Sequence, residues 1–379
     1  MPIEIRGQTA PGFERVAERF VANFERDDAY REVGASLAVY RAGQLVVDLA
    51  AGVRDQTGNT PWTSDTLINV WSTTKGVTAI CLAVLADRGL IDYAAPAASY
   101  WPEFAQSGKA AITVAQLLSH QAGLPGFAEP TALEDFYDWD LVTTRLAAQA
   151  PMWPAGAKTS YHAMTFGFLA GELIRRVSGR SVGQFLAEEV AGPLGADVFI
   201  GLPASEEARV AAIIAPRIDA PFDRERMAPE ALAALTNPAM APTLPNNRAW
   251  RAAEIPAGNG HATALGIVRL YGAVANGGTL EGVTLMRPRG VAAMDTVQTT
   301  HLDLLLGVTP NWRNGVAGNE TGMFGPRPNV FGHSGWGGSF GCADTRERVA
   351  IGYVMNQMGE GLVGDARATA LCRAVYDCL

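Results

Sequence analysis

The sequence predicts an α/β plus all-α protein: an antiparallel sheet built from both chain termini and flanked by helices, joined to a mainly helical second lobe. Three observations predict it. Alternating apolar residues of the hairpin kind occur near the amino end and again near the carboxyl end. The chain between them runs in Ala- and Leu-rich stretches with helical rather than alternating spacing. A chain of 379 residues with 48% hydrophobic composition also buries a large core, and that length favours two packed lobes over one.

Each element follows in chain order. From Pro11 to Arg26 the residues Phe13, Val16, Phe20 and Phe24 recur at helical spacing between charges, which describes an amphipathic helix lying on a sheet. Leu37 and Val39 then alternate with small or polar residues, Ala42-Gly43 breaks the run, and Leu45, Val47 and Leu49 resume it as a hairpin. Helices are expected over Thr78 to Asp87, Val114 to Ser119, Thr165 to Ser178 and Ala262 to Asn276. Prolines 216, 221, 229, 238, 242 and 245 crowd a stretch of little periodicity, so residues 216–256 read as an irregular excursion that walls a binding groove. Ser339 to Ala343, a polar turn from Thr345 to Arg348, and Val349, Ile351, Tyr353 and Met355 make the second hairpin. A last helix carries Leu371, Val375 and Cys378 on one face. Terminal strands that pair with each other give a discontinuous α/β domain, 1–70 with 296–379, around a helical domain, 71–295. The groove between them is the expected site.

Composition excludes several classes. A formal charge of −8, with basic residues scattered rather than in runs, argues against nucleic acid as a partner. The stretch from Met1 to Phe20 mixes charges with apolar residues and no segment reaches membrane-spanning length, so a cytoplasmic protein with no membrane partner is expected. Cys81, Cys342, Cys372 and Cys378 follow no metal-ligand spacing, and the histidines form no His-x-x-x-His pair, so no metal and no cofactor are expected.

The chemistry concentrates in three places. In Trp71-Ser72-Thr73-Thr74-Lys75, followed by a helical stretch, a serine and a lysine three apart share one helix face, so the amine reaches the hydroxyl. At a helix amino terminus the free N–H groups favour the oxyanion that a serine attack creates, and burial lowers a lysine pKa towards the range of a useful base. With only three lysines and twelve serines in the chain, a chance Ser-x-x-Lys is expected on the order of 0.1 times. Read alone, the motif also fits a serine helix cap beside an unrelated lysine. The turn-rich run Pro154 to Ser160 delivers Tyr161 just before a helix, where a phenol can relay protons between Ser72, Lys75 and a leaving group, or simply pack. Gly332-His333-Ser334-Gly335-Trp336-Gly337-Gly338 brings glycines to a strand edge, as where a ligand approaches closely or a chain merely turns. There the N–H of Trp336 pairs with that of Ser72 as an oxyanion hole.

Together these residues resemble the family of class C β-lactamases, penicillin-binding DD-peptidases, D-aminopeptidases and family VIII carboxylesterases. The resemblance runs over nearly the whole chain, with Ser72 to Lys75, Tyr161, and His333-Ser334-Gly335 in the place of the family's Lys-Thr-Gly. Leu117 to Leu124, Gly260 to Ala264 and Val354-Met355-Asn356 support it. It implies a β-lactamase/transpeptidase-like fold, with Ser72, Lys75 and Tyr161 catalytic and with His333, Ser334, Gly335, Gln121 and Trp153 in contact with substrate. Two departures choose a branch. The family's Tyr-x-Asn amide is replaced by Ala163, and the carboxylate-binding lysine by His333, largely neutral at pH 7. Both suit a neutral ester better than an anionic lactam. Phe127, Phe136, Tyr137, Trp139, Trp153 and Trp336 suit an apolar acyl group or belong to the core. The expectation is a serine hydrolase that cleaves small carboxylic esters through an acyl-enzyme. The alternatives are β-lactamase, DD-peptidase or D-aminopeptidase-type amide hydrolysis, and a binding relative without turnover.

Overall fold

The computed structural model describes residues 3–58, 60–217, 225 and 227–379. Strand β1 (Ile5–Thr9), helix α1 (Glu14–Phe24) and strands β2 (Gly34–Arg41) and β3 (Gln44–Gly52) open the chain. Val16, Phe20 and Phe24 of α1, with Phe13 before it, are buried against the sheet. The β2–β3 hairpin turns at Ala42 and Gly43, both at positive φ. After the short β4 (Ile68–Asn69) come helices α2 (Thr73–Asp87), α3 (Val114–Leu118), α4 (Trp139–Ala148), α5 (Thr165–Ser178) and α6 (Val182–Leu186). Next are β5 (Val198–Phe199), α7 (Pro229–Thr236), α8 (Arg248–Ala252), β6 (His261–Ala262), α9 (Ala264–Ala275), the minor hairpin β7 (Thr279–Leu280) and β8 (Val283–Thr284), and α10 (Pro288–Met294). The chain ends with β9 (Ala317–Gly318), β10 (Phe331–Ser334), β11 (Phe340–Asp344), β12 (Val349–Met355) and α11 (Ala366–Tyr376).

The main sheet has seven antiparallel strands in the order β1-β3-β2-β12-β11-β10-β9. Both ends of the chain therefore meet at its centre, where Val349–Met355 pairs with Ala35–Arg41. Every residue of β12 is buried, because helices cover the strand's surroundings and its neighbours supply both ladders. The fold is the mixed sheet-and-helix architecture expected from the sequence.

Two local expectations need correction. The helix expected at Ala262 to Asn276 was assigned to the helical lobe, yet α9 packs on β2, β11 and β12. Glycine makes this possible: a Cβ on Gly352 of β12 would lie 2.7 Å from the carbonyl oxygen of Ala264. The 216–256 excursion is not wholly irregular either. Pro229 occupies the first turn of α7, where its missing N–H is harmless, and Pro245 sits in a 3-10 turn at Leu244–Asn246. Pro221 falls outside the described residues. Among those described, no helix is long and apolar enough to cross a membrane.

Candidate active site

Helix α2 is the axis of the site. All its residues but Ala86 are buried, and it packs against α5 on one side and β10 on the other. Its amino end is held by the small sheet β4-β6-β5: the Val70 N–H donates to Gly260 O at 2.8 Å, and the Gly260 N–H donates to Thr74 Oγ1 at 2.9 Å. Trp71, just before the helix, has φ of 44°, a conformation that costs a non-glycine residue about 1–3 kcal/mol. Its indole lies 5.6 Å from that of Trp250 and 5.1 Å from that of Trp336, centroid to centroid, and this aromatic packing keeps the turn in place.

Ser72 follows at the head of α2, half-buried, and its side chain makes no capping bond. The hydroxyl is therefore free for other work. One turn on, Lys75 Nζ lies 3.0 Å from Ser72 Oγ and donates to the carbonyls of Ala163 at 2.7 Å and Ala257 at 2.9 Å. No carboxylate pairs with this amine among the described residues, and burial alone lowers its pKa well below the ordinary value. The Tyr161 ring centroid is 4.7 Å from Nζ. Its hydroxyl is buried without a hydrogen-bond partner among the described residues. Burial pushes the phenol pKa up, opposed in part by the Ser72 hydroxyl beside it. Ser72, Lys75 and Tyr161, expected to act together, are brought together.

The glycine-rich segment stands across from them. Gly335 N–H donates to Ser339 O at 2.7 Å, and a Cβ on Gly335 would lie 2.2 Å from Val70 O, so only glycine lets this strand end approach the head of α2. The N–H groups of Ser72 and Trp336 donate to nothing among the described residues. His333 is buried behind the site, with its ring 6.1 Å from that of Tyr161. Its Nδ1 pairs with Ser334 O at 2.8 Å, Nε2 has no partner among the described residues, and burial with the Lys75 charge lowers its pKa to about 3. Ser334 Oγ accepts from the Gly364 N–H at 3.2 Å.

A cavity of about 520 Å³, counting its open mouth, lies over Ser72, Tyr161 and Trp336. Trp71, Ala163, Met164, Ala234, Leu235, Met240 and Leu362 complete it, and no charged side chain lines it. Gln121 and Trp153, expected to touch substrate, are not in its wall. The Gln121 amide donates to Ser119 Oγ at 2.7 Å, and the Trp153 indole donates to Lys158 O at 3.2 Å, so both are spent on local structure. His333, Ser334 and Gly335 also lie outside the wall. Phe127 meets Phe136, and Phe136 and Trp139 meet Phe168, in tilted and edge-on contacts away from the cavity, so of the six aromatics suggested for an acyl group only Trp336 reaches it. Among the described residues no cluster of three or more His, Cys, Asp or Glu is arranged to hold a metal.

The sequence reading missed the carbonyls of Ala163 and Ala257, which carry no residue-type signal. The 216–256 excursion does wall the cavity, through Ala234, Leu235 and Met240, but the helix within it carried no signal, nor did Asp303, which reaches Tyr161 from 142 residues away.

A profile of the beta-lactamase family matches residues 13–374. Esterase/beta-lactamase LipL of Mycobacterium tuberculosis is 39% identical over 378 residues, 94% of this chain and 84% of that protein. The crystal structure of a family VIII carboxylesterase is 48% identical, superposes with a TM-score of 0.95 and covers all of both chains. A penicillin-binding protein homolog from Caulobacter crescentus is 43% identical at a TM-score of 0.94, over 99% of this chain and 100% of that one. With its serine, lysine and tyrosine gathered at the head of one buried helix, the chain belongs to the beta-lactamase family.

Proposed function

We propose that the protein is a serine hydrolase that cleaves uncharged carboxylic esters through an acyl-enzyme on Ser72. The carrying observation is the setting of Lys75. The two carbonyls of Ala163 and Ala257 take two N–H groups of Nζ, and its third position faces Ser72 Oγ at 3.0 Å, where the ammonium presents an N–H and the neutral amine its lone pair. Burial without a counter-charge lowers the amine's pKa and so favours its neutral form, which accepts the serine proton as Oγ attacks the ester carbonyl. The N–H groups of Ser72 and Trp336 receive the oxyanion. Tyr161, held as a phenol, gives its proton to the leaving alkoxide and takes back the serine proton from Lys75, which restores both groups, and then orients the water that releases the acid.

The substrate class follows from what the cavity lacks. An apolar wall and an uncharged His333 provide no cation for a carboxylate, and Ala163 provides no amide for a lactam side chain. The names of the relatives, carboxylesterase and esterase, point the same way. We place the site at the junction of two lobes, 1–70 with 296–379 and the α9 helix packed on their sheet against the rest of 71–295, because α2 touches both α5 and β10. All four cysteines are free, which suits the reducing cytoplasm. One observation favours a second reading, lactam hydrolysis: the 39% identical relative is named an esterase/beta-lactamase.

Rates on p-nitrophenyl butyrate and on nitrocefin test both readings, with intact mass after brief exposure to a fluorophosphonate. The parent chain is expected to gain one adduct at Ser72 and to prefer the ester by roughly 100-fold or more. Lys75→Ala and Tyr161→Phe are each expected to lose roughly 10²–10⁴ in kcat. A Ser72→Ala variant as fast as the parent sinks the proposal, and faster turnover of nitrocefin than of the ester selects the second reading.

A further inference from the structure

The Ser72 hydroxyl is the polar neighbour of the reactive end of Tyr161, whose own hydroxyl lies in no geometric hydrogen bond among the described residues. The restraint comes from the other side of the ring. Thr159 bridges Asp303 in parallel register, the Leu304 N–H donates to Thr159 O at 2.9 Å, and the hydroxyls of Thr159 and Thr299 lie 3.3 Å apart. This zipping sets Asp303 against the backbone of Tyr161. Asp303 Oδ1 accepts the N–H of Tyr161 at 3.1 Å, together with those of Leu305 and Leu306 at 3.1 Å each. Oδ2 accepts the indole N–H of Trp312 at 2.9 Å. The Trp312 indole in turn lies nearly parallel to the Tyr161 phenol, 10° between planes and 5.7 Å between centroids. Its edge meets the His120 imidazole at 4.4 Å, and His120 meets Tyr161 at 4.9 Å.

Asp303 is fully buried and, among the described residues, pairs with no cation. A buried carboxylate without a counter-charge is costly, and here four N–H donors offset the loss of water. The chemistry requires an acceptor on both oxygens: an asparagine would turn an NH₂ group towards the indole or towards three backbone N–H groups. We propose that Asp303 and Trp312 are positioning residues for Tyr161, a carboxylate–indole clamp that fixes the phenol beside Ser72. The inference rests on the catalytic reading of Tyr161 given above. The charge of Asp303 also adds to burial in keeping the phenol protonated, as a group that donates to a leaving alkoxide must be.

A double-mutant cycle tests it, with kcat and KM measured on p-nitrophenyl butyrate for Asp303→Asn, Trp312→Phe, Tyr161→Phe and the two double variants. Trp312→Phe keeps an aromatic ring beside Tyr161 while removing the five-membered ring that carries the indole N–H, so it carries the test if Asp303→Asn does not fold. Each clamp variant is expected to lower kcat roughly 10-fold or more with KM within about twofold, since misplacing a catalytic group costs rate rather than binding. On the Tyr161→Phe background the same substitutions are expected to cost less than about twofold, because there is no hydroxyl left to position. A parent-like Tyr161→Phe overturns the catalytic reading and the clamp with it. A crippled Tyr161→Phe overturns the clamp alone if Trp312→Phe keeps the parent kcat or loses the same factor with and without the phenol.

Discussion

Lys75 has three neighbours and only burial acting on its charge, and the sign of that effect makes a prediction. Burial lowers the pKa, so between the lowered value and the ordinary one near 10.5 the unfolded chain binds one proton more than the folded chain. Stability therefore rises with pH across that window, and the amine is a base only above its lowered pKa. kcat/KM for a neutral ester should fall as pH drops through that value. The four buried histidines do not explain such a limb: His162 is pushed to about 4, His261 and His333 to about 3, and His120 well below the usual range. An acid limb above these values, unmoved in His333→Gln, is expected from a pH-rate profile; a shift of more than about half a unit in that variant assigns the limb to His333 instead. Ser72 and Lys75 were legible in the sequence because their relation is local, one turn of one helix. The carbonyls that complete the lysine's shell and the Asp303 carboxylate come from segments 88 to 228 residues away from Lys75, where no spacing rule reaches.

At the scale of elements, alternation and helical spacing revealed α1 and the two hairpins, whose apolar faces follow directly from residue order, and an unbroken Ala- and Leu-rich run revealed α2, which is buried all round. The wall of the cavity was less visible. Proline crowding masked α7, and the function of α7 comes from its position over Ser72 rather than from its composition, which is ordinary and Ala-rich. Leu235 and Ala234 of α7, with Met240 beyond it, close one side of the apolar cavity, so this short helix limits the acyl chain. Leu235→Ala removes three carbons from that wall. At about 0.8 kcal/mol for each methylene newly accommodated, the ratio of kcat/KM for p-nitrophenyl hexanoate over acetate should rise roughly 3- to 10-fold. An unchanged ratio with uniformly reduced rates would put the acyl chain against another wall.

The whole molecule is closed by its ends. β12 pairs with β2, and above that junction Arg367 of α11 joins Glu32, just before β2, at 3.1 Å. Arg367 also binds Asp365 at 2.8 Å and donates to Gly337 O at 2.9 Å, so the same guanidinium anchors the loop that carries Trp336. Two carboxylates share this one buried cation. Burial, with Asp365 adding, pushes the Glu32 carboxyl up to about 8 against the pull of Arg367, and the Tyr353 hydroxyl bonds to it. A carboxyl whose folded pKa is raised contributes stability below its unfolded pKa, near 4.5, and loses it as pH rises towards 8. Glu32→Gln mimics the protonated form, so its Tm should match the parent at pH 4 to within a few degrees and exceed it at pH 9. Scanning calorimetry at the two pH values decides: a parent Tm that falls no faster with pH than that of Glu32→Gln means that Glu32 stays ionised and that the cluster closes the molecule as a plain ion pair.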